Sequence, residues 1–269
     1  MPPPPEVVKQ RLSMNYLPNK IYFPEQPSAS GTPSGEENIT EAIILAGGLG
    51  TRLRSAVPDL PKCMAPVAGR PFLSYLIDYY SAQGIQEFIF ALGYMHETIE
   101  EYLDDHYSLI DRKYVIEEEP LGTGGAIKLA CEHSITKNIL VLNGDTLFKV
   151  NLAELSSLHQ LKASECTLSL KPMTNFDRYG VVELNADQSV KHFHEKKHYT
   201  AGTINGGVYA LNKERFMKKD FPAKFSFEKD YLEKEYKKGK LFGIVQEGYF
   251  IDIGIPEDLA KAQGELAAR

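Results

Sequence analysis

The sequence predicts an α/β fold built on a doubly wound, mostly parallel sheet, to which a smaller mixed or antiparallel subregion is added. Between residues 42 and 142, short apolar runs of strand type alternate with stretches of helical spacing. This order is typical of βαβ units, whose parallel strands are joined by crossover helices. Beyond residue 165, several short strands follow one another with turn residues between them, which indicates antiparallel or mixed additions.

The parallel half begins with a short apolar strand at 42–45. A helix is expected at 72–83, because apolar residues from Phe72 to Tyr80 recur at helical spacing and Gly84 follows as a C-cap residue. The other elements of this half are expected as a strand at 88–92, a helix at 95–106, a strand at 114–116, a helix at 124–133 and a strand at 139–142.

The second half is expected to close with a helix at 256–268, whose first residue, Pro256, suits the first turn of a helix. The Lys- and Glu-rich stretch 213–240 is interpreted as mainly a solvated helical face. The remaining elements are expected as a helix at 152–162, strands at 166–170, 181–184, 190–195 and 208–211, a helix at 227–237 and a strand at 241–245.

Proline content divides the chain into two parts. Eight of the 16 prolines lie in the first 40 of the 269 residues. Residues 1–40 show no sustained periodicity, and composition of this kind is typical of flexible segments. We therefore predict a flexible N-terminal extension at 1–40 and a single domain at 41–269.

Charge and composition exclude several classes of function. The net charge of −6 argues against a general surface for nucleic acid or anionic membranes. No apolar run approaches the roughly 20 residues of a membrane helix, and the N-terminus lacks the apolar core of a secretory signal. The three cysteines, Cys63, Cys131 and Cys166, are scattered and odd in number, which fits free thiols in a reducing compartment. A cytoplasmic location is expected.

A glycine-rich loop follows the first strand. It comprises Leu45, Ala46, Gly47, Gly48, Leu49, Gly50, Thr51 and Arg52. Glycines at this place let backbone N–H groups approach phosphate oxygens, and Arg52 and Lys62 add two cations that suit a triphosphate. The loop is neither a dinucleotide fingerprint, because Leu53 stands at the third glycine position, nor a Walker A loop.

The segments Gly48-Leu-Gly-Thr-Arg-Leu53 and Pro61-Lys62 resemble the signature of the sugar-1-phosphate nucleotidyltransferases, although Cys63 replaces a proline common at that point. The resemblance extends over about 41–260. It implies a Rossmann-like nucleotidyltransferase fold. It also implies that Arg52 faces the departing pyrophosphate and that Lys62 faces the phosphates of the nucleotide and the sugar.

Two aspartates are candidate metal ligands. Asp145 follows the strand 139–142, and carboxyl ends of parallel strands are where ligands gather. Asp252 lies near the C-terminal helix. Mg²⁺ needs few carboxylates when substrate phosphates complete its coordination, and the resemblance assigns both residues to this metal. Phe250 and Ile255 depart from the family pattern around Asp252, which has Trp and Thr there.

The segment Glu117-Glu-Glu-Pro-Leu-Gly-Thr-Gly-Gly125 resembles the base-binding loop of the family, which adds Glu117, Gly122 and Thr123 to the nucleotide site. Guanine offers two adjacent donors, N1–H and the 2-amino group, and an ionised carboxylate accepts both. Thymidylyl and uridylyl members tend to have Gln at the position of Glu117. GTP is therefore the favoured nucleotide.

Three further segments match sugar-binding parts of the family and contribute Gly180, Glu195, Lys196 and Asn205. The implied reaction joins GTP and a sugar 1-phosphate into a GDP-sugar and pyrophosphate. Positioning and charge stabilisation would supply most of the catalysis. The residues expected to carry it are Arg52, Lys62, Asp145, Lys196 and Asp252.

Within the family, the resemblance is greatest to members that act on D-glycero-D-manno-heptose 1-phosphate, which implies a place in the synthesis of cell-surface glycans. Transfer to mannose 1-phosphate, or transfer of UMP or dTMP, stays open. So does a non-catalytic subunit that senses nucleotide sugars, although such a protein would be expected to lack Arg52, Lys62 or an aspartate. A dinucleotide oxidoreductase would need the missing third glycine.

Overall fold

The computed structural model describes residues 38–48, 50, 52–53 and 56–267. The described residues belong to one compact unit. The predicted extension at 1–40 lies outside them except for its last three residues, so the division at residue 40 stays a prediction.

The strands of the described chain are β1 (Glu41–Leu45), β2 (Pro66–Val67), β3 (Arg70–Pro71), β4 (Glu87–Leu92), β5 (Asp111–Ile116), β6 (Asn138–Asn143), β7 (Thr146–Phe148), β8 (Cys166–Phe176), β9 (Val182–Leu184), β10 (Val190–Phe193), β11 (Tyr199–Asn212), β12 (Leu241–Val245) and β13 (Phe250–Asp252). The α-helices are α1 (Phe72–Ala82), α2 (His96–His106), α3 (Gly122–Cys131), α4 (Leu152–Leu161), α5 (Lys213–Met217), α6 (Glu233–Glu235) and α7 (Pro256–Ala267). A π-helical stretch spans Phe227–Leu232, and 3₁₀ turns span Lys62–Met64 and Tyr236–Lys238. Within these described segments, no helix has the length and apolarity that a membrane crossing requires.

Seven strands form the central sheet in the order β12-β8-β11-β6-β1-β4-β5. Strand β1 pairs in parallel with β4 and β6, and β5 extends the parallel part beyond β4. Strand β11 is antiparallel to both of its neighbours. The predicted fold class is confirmed, and the carboxyl ends of β1, β4 and β6 meet at one edge of the sheet.

Helices cover both faces of this sheet. Alternate residues of β1 point in opposite directions, so that Ile44 packs in a cluster with Leu73 of α1, whereas Ile43 packs in a cluster with Ile127 of α3. Both clusters consist of buried residues. This two-sided burial is why the central parallel strands β1, β4 and β6 are apolar over most of their length rather than alternating.

Two strands are longer than the sequence predicts. β8 continues past residue 170 and β11 begins before residue 208, and the added parts pair with each other, as Thr174 does with Ala201. Many of these residues are exposed or only partly buried, so they need no apolar alternation to form a ribbon. The short strands β7 and β13 also escaped prediction, because three residues carry no period. They pair antiparallel and place Asp252 opposite Thr146.

The buried carboxylate of Glu41 anchors the amino end of β1. Its Oε2 accepts a hydrogen bond from the Ser134 hydroxyl, from the Thr136 hydroxyl at 2.8 Å and from the Thr136 amide at 3.2 Å, and its Oε1 accepts one from the Ile135 amide at 3.1 Å. Burial alone would raise the pKa of Glu41, but these hydrogen bonds outweigh it and lower the pKa below 4.5.

We expect Glu41→Gln to lower the free energy of unfolding by about 3 kcal/mol at pH 7, because an amide turns one N–H toward the Ile135 or Thr136 backbone N–H, which can only donate. The lowered pKa stabilises the fold fully above pH 4.5, and that contribution is lost as the pH falls further. Urea unfolding at pH 7 and pH 4 should therefore show the gap between wild type and variant narrowing in acid. Glu101→Gln, on an exposed position of α2, is the control, and equal stability of Glu41→Gln and wild type would contradict this role.

Candidate active site

A cavity of about 1030 Å³ opens at the sheet edge where β1, β4 and β6 end, and Leu45, Ala91 and Asn143 from these strands line it. Ligands gather at such edges in parallel sheets. The sequence-predicted residues that line it are Leu45, Gly47, Gly48, Arg52, Glu117, Gly122, Thr123, Asp145, Gly180, Glu195, Lys196, Asn205 and Asp252.

The other sequence-predicted residues lie beside the cavity or outside the described chain. Ala46 is buried, and its amide donates to the Ala91 carbonyl at 2.9 Å. Gly50 packs against Lys62, which forms an ion pair with the cavity residue Asp145. Thr51 lies outside the described residues.

Glu117 and Gly47 meet at the floor of the predicted base site. A Cβ atom at Gly47 would lie 2.6 Å from Oε1 of Glu117 and 3.2 Å from the carbonyl carbon of Leu92, so only glycine leaves room there. The other oxygen, Oε2, accepts a hydrogen bond from the Leu121 amide at 2.8 Å. Burial raises the pKa of Glu117, and the Leu121 bond opposes the rise. The carboxylate is thus half-buried and fixed in orientation before any base binds.

The ladder between β7 and β13 brings the two aspartates together. Asp145 directly precedes β7 and Asp252 ends β13, and the Ile253 amide donates to the Asp145 carbonyl at 2.9 Å. The ammonium of Lys62 pairs with Oδ2 of Asp145. A Cβ atom at Gly254 would lie 2.7 Å from Oδ1 of Asp252 and 3.1 Å from Nζ of Lys62, so both carboxylates and the lysine converge beside this glycine.

The charges at this point fit a divalent cation. Burial raises the pKa of Asp252, the charge of Asp145 raises it further, and Lys62 opposes both effects. Two carboxylates that repel each other are relieved by a cation between them. In the described part of the chain, no group of three or more Asp, Glu, His or Cys side chains gathers to hold a metal. Two carboxylates are nonetheless enough for Mg²⁺ when phosphate oxygens and water provide the remaining ligands.

We expect Gly254→Ala to lower kcat of the nucleotidyl transfer that the sequence implies at least about 100-fold, while the protein stays folded. The atoms that a Cβ would meet are the ends of two flexible side chains, so the clash would displace Asp252 and Lys62 rather than the backbone. Steady-state kinetics and thermal unfolding test this together. Gly264→Ala, at an exposed position of α7 with no atom within 4 Å of the new Cβ, should keep full activity. Full activity in Gly254→Ala would contradict the prediction.

The predicted sugar-binding residues also line the cavity. Glu195 and Lys196 are exposed and lie just beyond β10. Asn205 on β11 is held by its own contacts, since its Nδ2 donates to the Tyr209 hydroxyl at 2.8 Å and its Oδ1 accepts from the Gly207 amide at 3.1 Å. The amide therefore enters the cavity in a fixed orientation, with a second N–H still able to donate.

One wall of the cavity escaped the sequence analysis. Residues from Ser226 to Glu233, within the stretch interpreted as solvated, contribute several side chains to the lining. Oε2 of Glu228 accepts from the Thr123 hydroxyl at 2.9 Å, and the Thr123 hydroxyl in turn accepts from the Phe227 amide at 2.9 Å. A π-helical stretch, often found at functional sites, thus contacts the predicted base-binding loop. No periodic signal could have shown this contact, because it spans more than 100 residues.

Comparison with known proteins shows the family to which the chain belongs. Residues 41–269 match the nucleotidyl transferase family. Over 226 residues the chain is 50% identical to the D-glycero-alpha-D-manno-heptose 1-phosphate guanylyltransferase of Aneurinibacillus thermoaerophilus. The matched residues cover 84% of this chain and 98% of that relative. It is 47% identical over 218 residues to the enzyme of the same name from Campylobacter jejuni, with 81% and 96% covered.

A more distant relative and a solved structure support the same family. The mannose-1-phosphate guanylyltransferase of Mycobacterium tuberculosis is 32% identical over 230 residues, which cover 84% of this chain and 64% of that protein. The crystal structure of HddC from Yersinia pseudotuberculosis complexed with GMP-PN superposes with a TM-score of 0.77 at 38% identity, covering 85% of this chain and all of the other. The chain therefore belongs to the nucleotidyl transferase family.

Proposed function

We propose that the chain transfers GMP from GTP to D-glycero-alpha-D-manno-heptose 1-phosphate and releases pyrophosphate. The observation that carries this proposal is the cavity itself, which brings the glycine loop, Glu117, the two aspartates and the predicted sugar residues to one sheet edge. Relatives of about 50% identity over nearly their whole length are named for this reaction. We also propose the cytoplasm as its compartment, because its three cysteines are free thiols, which fit a reducing environment.

Recognition of GTP begins at two ends of the nucleotide. We assign the base to Glu117, whose fixed carboxylate accepts from N1–H and the 2-amino group of guanine. We assign the triphosphate to the backbone amides of Gly47 and Gly48 and to Arg52, whose planar guanidinium can bind two oxygens of the departing pyrophosphate. The structure of HddC complexed with GMP-PN supports a guanine nucleotide.

The chemical step is an in-line attack by a phosphate oxygen of the sugar 1-phosphate on the α-phosphorus of GTP, which breaks the bond to the β-phosphate oxygen. Lys62 and Lys196 orient the attacking phosphate and offset its charge, so that two anions can approach. Asp145 and Asp252 would hold Mg²⁺, which when bound neutralises charge that develops on the α-phosphate and pyrophosphate. No covalent enzyme intermediate is required.

A second candidate acceptor is mannose 1-phosphate. The relative from Mycobacterium tuberculosis is named for that sugar, and it is 32% identical to this chain. The two sugars differ by one CHOH group, and a single methylene in a hydrophobic pocket changes kcat/KM by about 10- to 200-fold. Sugar selection therefore separates the two candidates.

The test is a comparison of initial rates with GTP and Mg²⁺ and with heptose, mannose or glucose 1-phosphate as the acceptor. We expect the heptose 1-phosphate to give the highest kcat/KM by about tenfold or more. A higher value for mannose 1-phosphate would replace the first candidate with the second. Lys196→Met should raise KM for the preferred acceptor, and Lys218→Met, outside the cavity lining, is the control variant.

A further inference from the structure

A short segment connects the predicted sugar-binding residues to the paired aspartates. It comprises Arg178, Tyr179 and Gly180. The predicted sugar residue Gly180 and its neighbour Tyr179 both line the cavity. Next to this segment, the amide of His194 donates to the Val181 carbonyl at 2.8 Å. The segment is therefore held against the end of β10, which Glu195 follows. On the other side, two of its side chains reach Asp252.

Both oxygens of the Asp252 carboxylate are oriented by hydrogen bonds. Oδ1 accepts from the Gly254 amide at 2.7 Å, and Oδ2 accepts from the Tyr179 hydroxyl at 3.0 Å. The guanidinium of Arg178 lies 3.6 Å from Oδ2 and forms an ion pair with Asp258 of α7. The Gly254 bond comes from the same loop as Asp252, whereas the Tyr179 bond joins residues 73 positions apart.

We propose that Tyr179 is a positioning residue for Asp252, with Arg178 in support. Its hydroxyl fixes the orientation in which the Asp252 carboxylate meets the metal, and it links the sugar loop to the metal site. The proposal rests on the proposed function, in which Asp252 is a metal ligand. Hydrogen-bond partners of metal-binding carboxylates typically change metal affinity or activity by about 10- to 100-fold when they are removed.

The variant Tyr179→Phe removes the hydroxyl alone and keeps the ring, which packs edge-on against Phe250 with ring centroids 6.2 Å apart. Tyr79→Phe is the matched control, because the Tyr79 hydroxyl donates to the Val150 carbonyl at 2.8 Å and Tyr79 is absent from the cavity lining. Circular dichroism and thermal unfolding show whether each variant folds.

Mn²⁺ binding gives a measurement that does not depend on turnover. Mn²⁺ is titrated into each protein in the presence of a GTP analogue with a methylene group between the α- and β-phosphates. Electron paramagnetic resonance measures the concentration of free Mn²⁺ at each step. We expect the Kd for Mn²⁺ to rise about 10-fold or more in Tyr179→Phe and to stay within about twofold in Tyr79→Phe. In turnover with Mg²⁺, kcat should fall while KM for the sugar 1-phosphate stays within about threefold.

Three results would overturn the proposal. Unchanged Mn²⁺ affinity in a folded Tyr179→Phe would remove Tyr179 from the positioning role. A large rise in KM for the sugar with unchanged Mn²⁺ affinity would identify Tyr179 as a sugar ligand instead. Failure of wild type to bind Mn²⁺ with the nucleotide would refute the metal role of Asp252 as well, so the two failures are distinguishable.

Discussion

Replacement of either aspartate, as Asp145→Asn or Asp252→Asn, should lower kcat/KM for pyrophosphate release at least about 1000-fold. The substitution keeps the size of the side chain but removes the charge that would hold a divalent cation, and such a cation supplies several kcal/mol of charge stabilisation. The two carboxylates meet beside Lys62 and Gly254. Removal of one leaves a single aspartate near Lys62, and the single charge of an ammonium does not replace that of a divalent cation.

The measurement is a coupled assay of pyrophosphate with GTP, the heptose 1-phosphate and a Mg²⁺ titration. Asp187→Asn is the control, because Asp187 is exposed in a turn where it accepts from Ser189 and is absent from the cavity lining. A high Mg²⁺ concentration should restore only a small part of the activity that the two aspartate variants lose. Wild-type rates in either variant would remove that residue from the metal site.

Glu117→Gln should lower kcat/KM for GTP about 100-fold and reduce the preference for GTP over UTP. Guanine presents two adjacent donors, and an amide can accept from only one of them while its own N–H₂ faces the other. A buried donor left facing a donor is costly. The amide oxygen could still accept from the Leu121 amide, which now bonds to Oε2 of Glu117, so the loop should keep its conformation.

The neighbouring Glu118 provides the control for this prediction, because it is exposed and does not line the cavity. Glu118→Gln should keep the nucleotide preference of wild type. Comparison of kcat/KM for GTP, UTP and dTTP in both variants separates base recognition from a general loss of charge. An unchanged GTP preference in Glu117→Gln would show that another group reads the base.

The parts of the site that the sequence predicts are those carried by contiguous motifs. The glycine loop and Glu117 follow strands that are apolar enough to recognise, and strand order then places them at one sheet edge. Asp145 is found for the same reason. Their roles in the reaction come from resemblance and remain predictions, whereas their common position is a result of the fold.

The contacts that the sequence could not provide are long-range and lack periodicity. Tyr179 reaches Asp252 across 73 residues, and Glu228 reaches Thr123 across 105. The ladder that aligns Asp252 with Thr146 has three residues in each strand, too few for an alternation of apolar and polar side chains to be recognised. Only tertiary packing brings these groups together, so neither composition nor motif spacing predicts their contacts.

The most direct test of guanylyl transfer to a heptose phosphate measures both products in one reaction. Wild type is incubated with Mg²⁺, D-glycero-alpha-D-manno-heptose 1-phosphate and one nucleoside triphosphate at a time, and pyrophosphate and nucleotide sugar are quantified by mass spectrometry. We predict that GTP yields pyrophosphate and GDP-heptose in equal amounts, that no pyrophosphate forms without the sugar phosphate, and that UTP and dTTP react at most weakly. Pyrophosphate release with UTP or dTTP but not with GTP, or release that is independent of the sugar phosphate, would contradict the account.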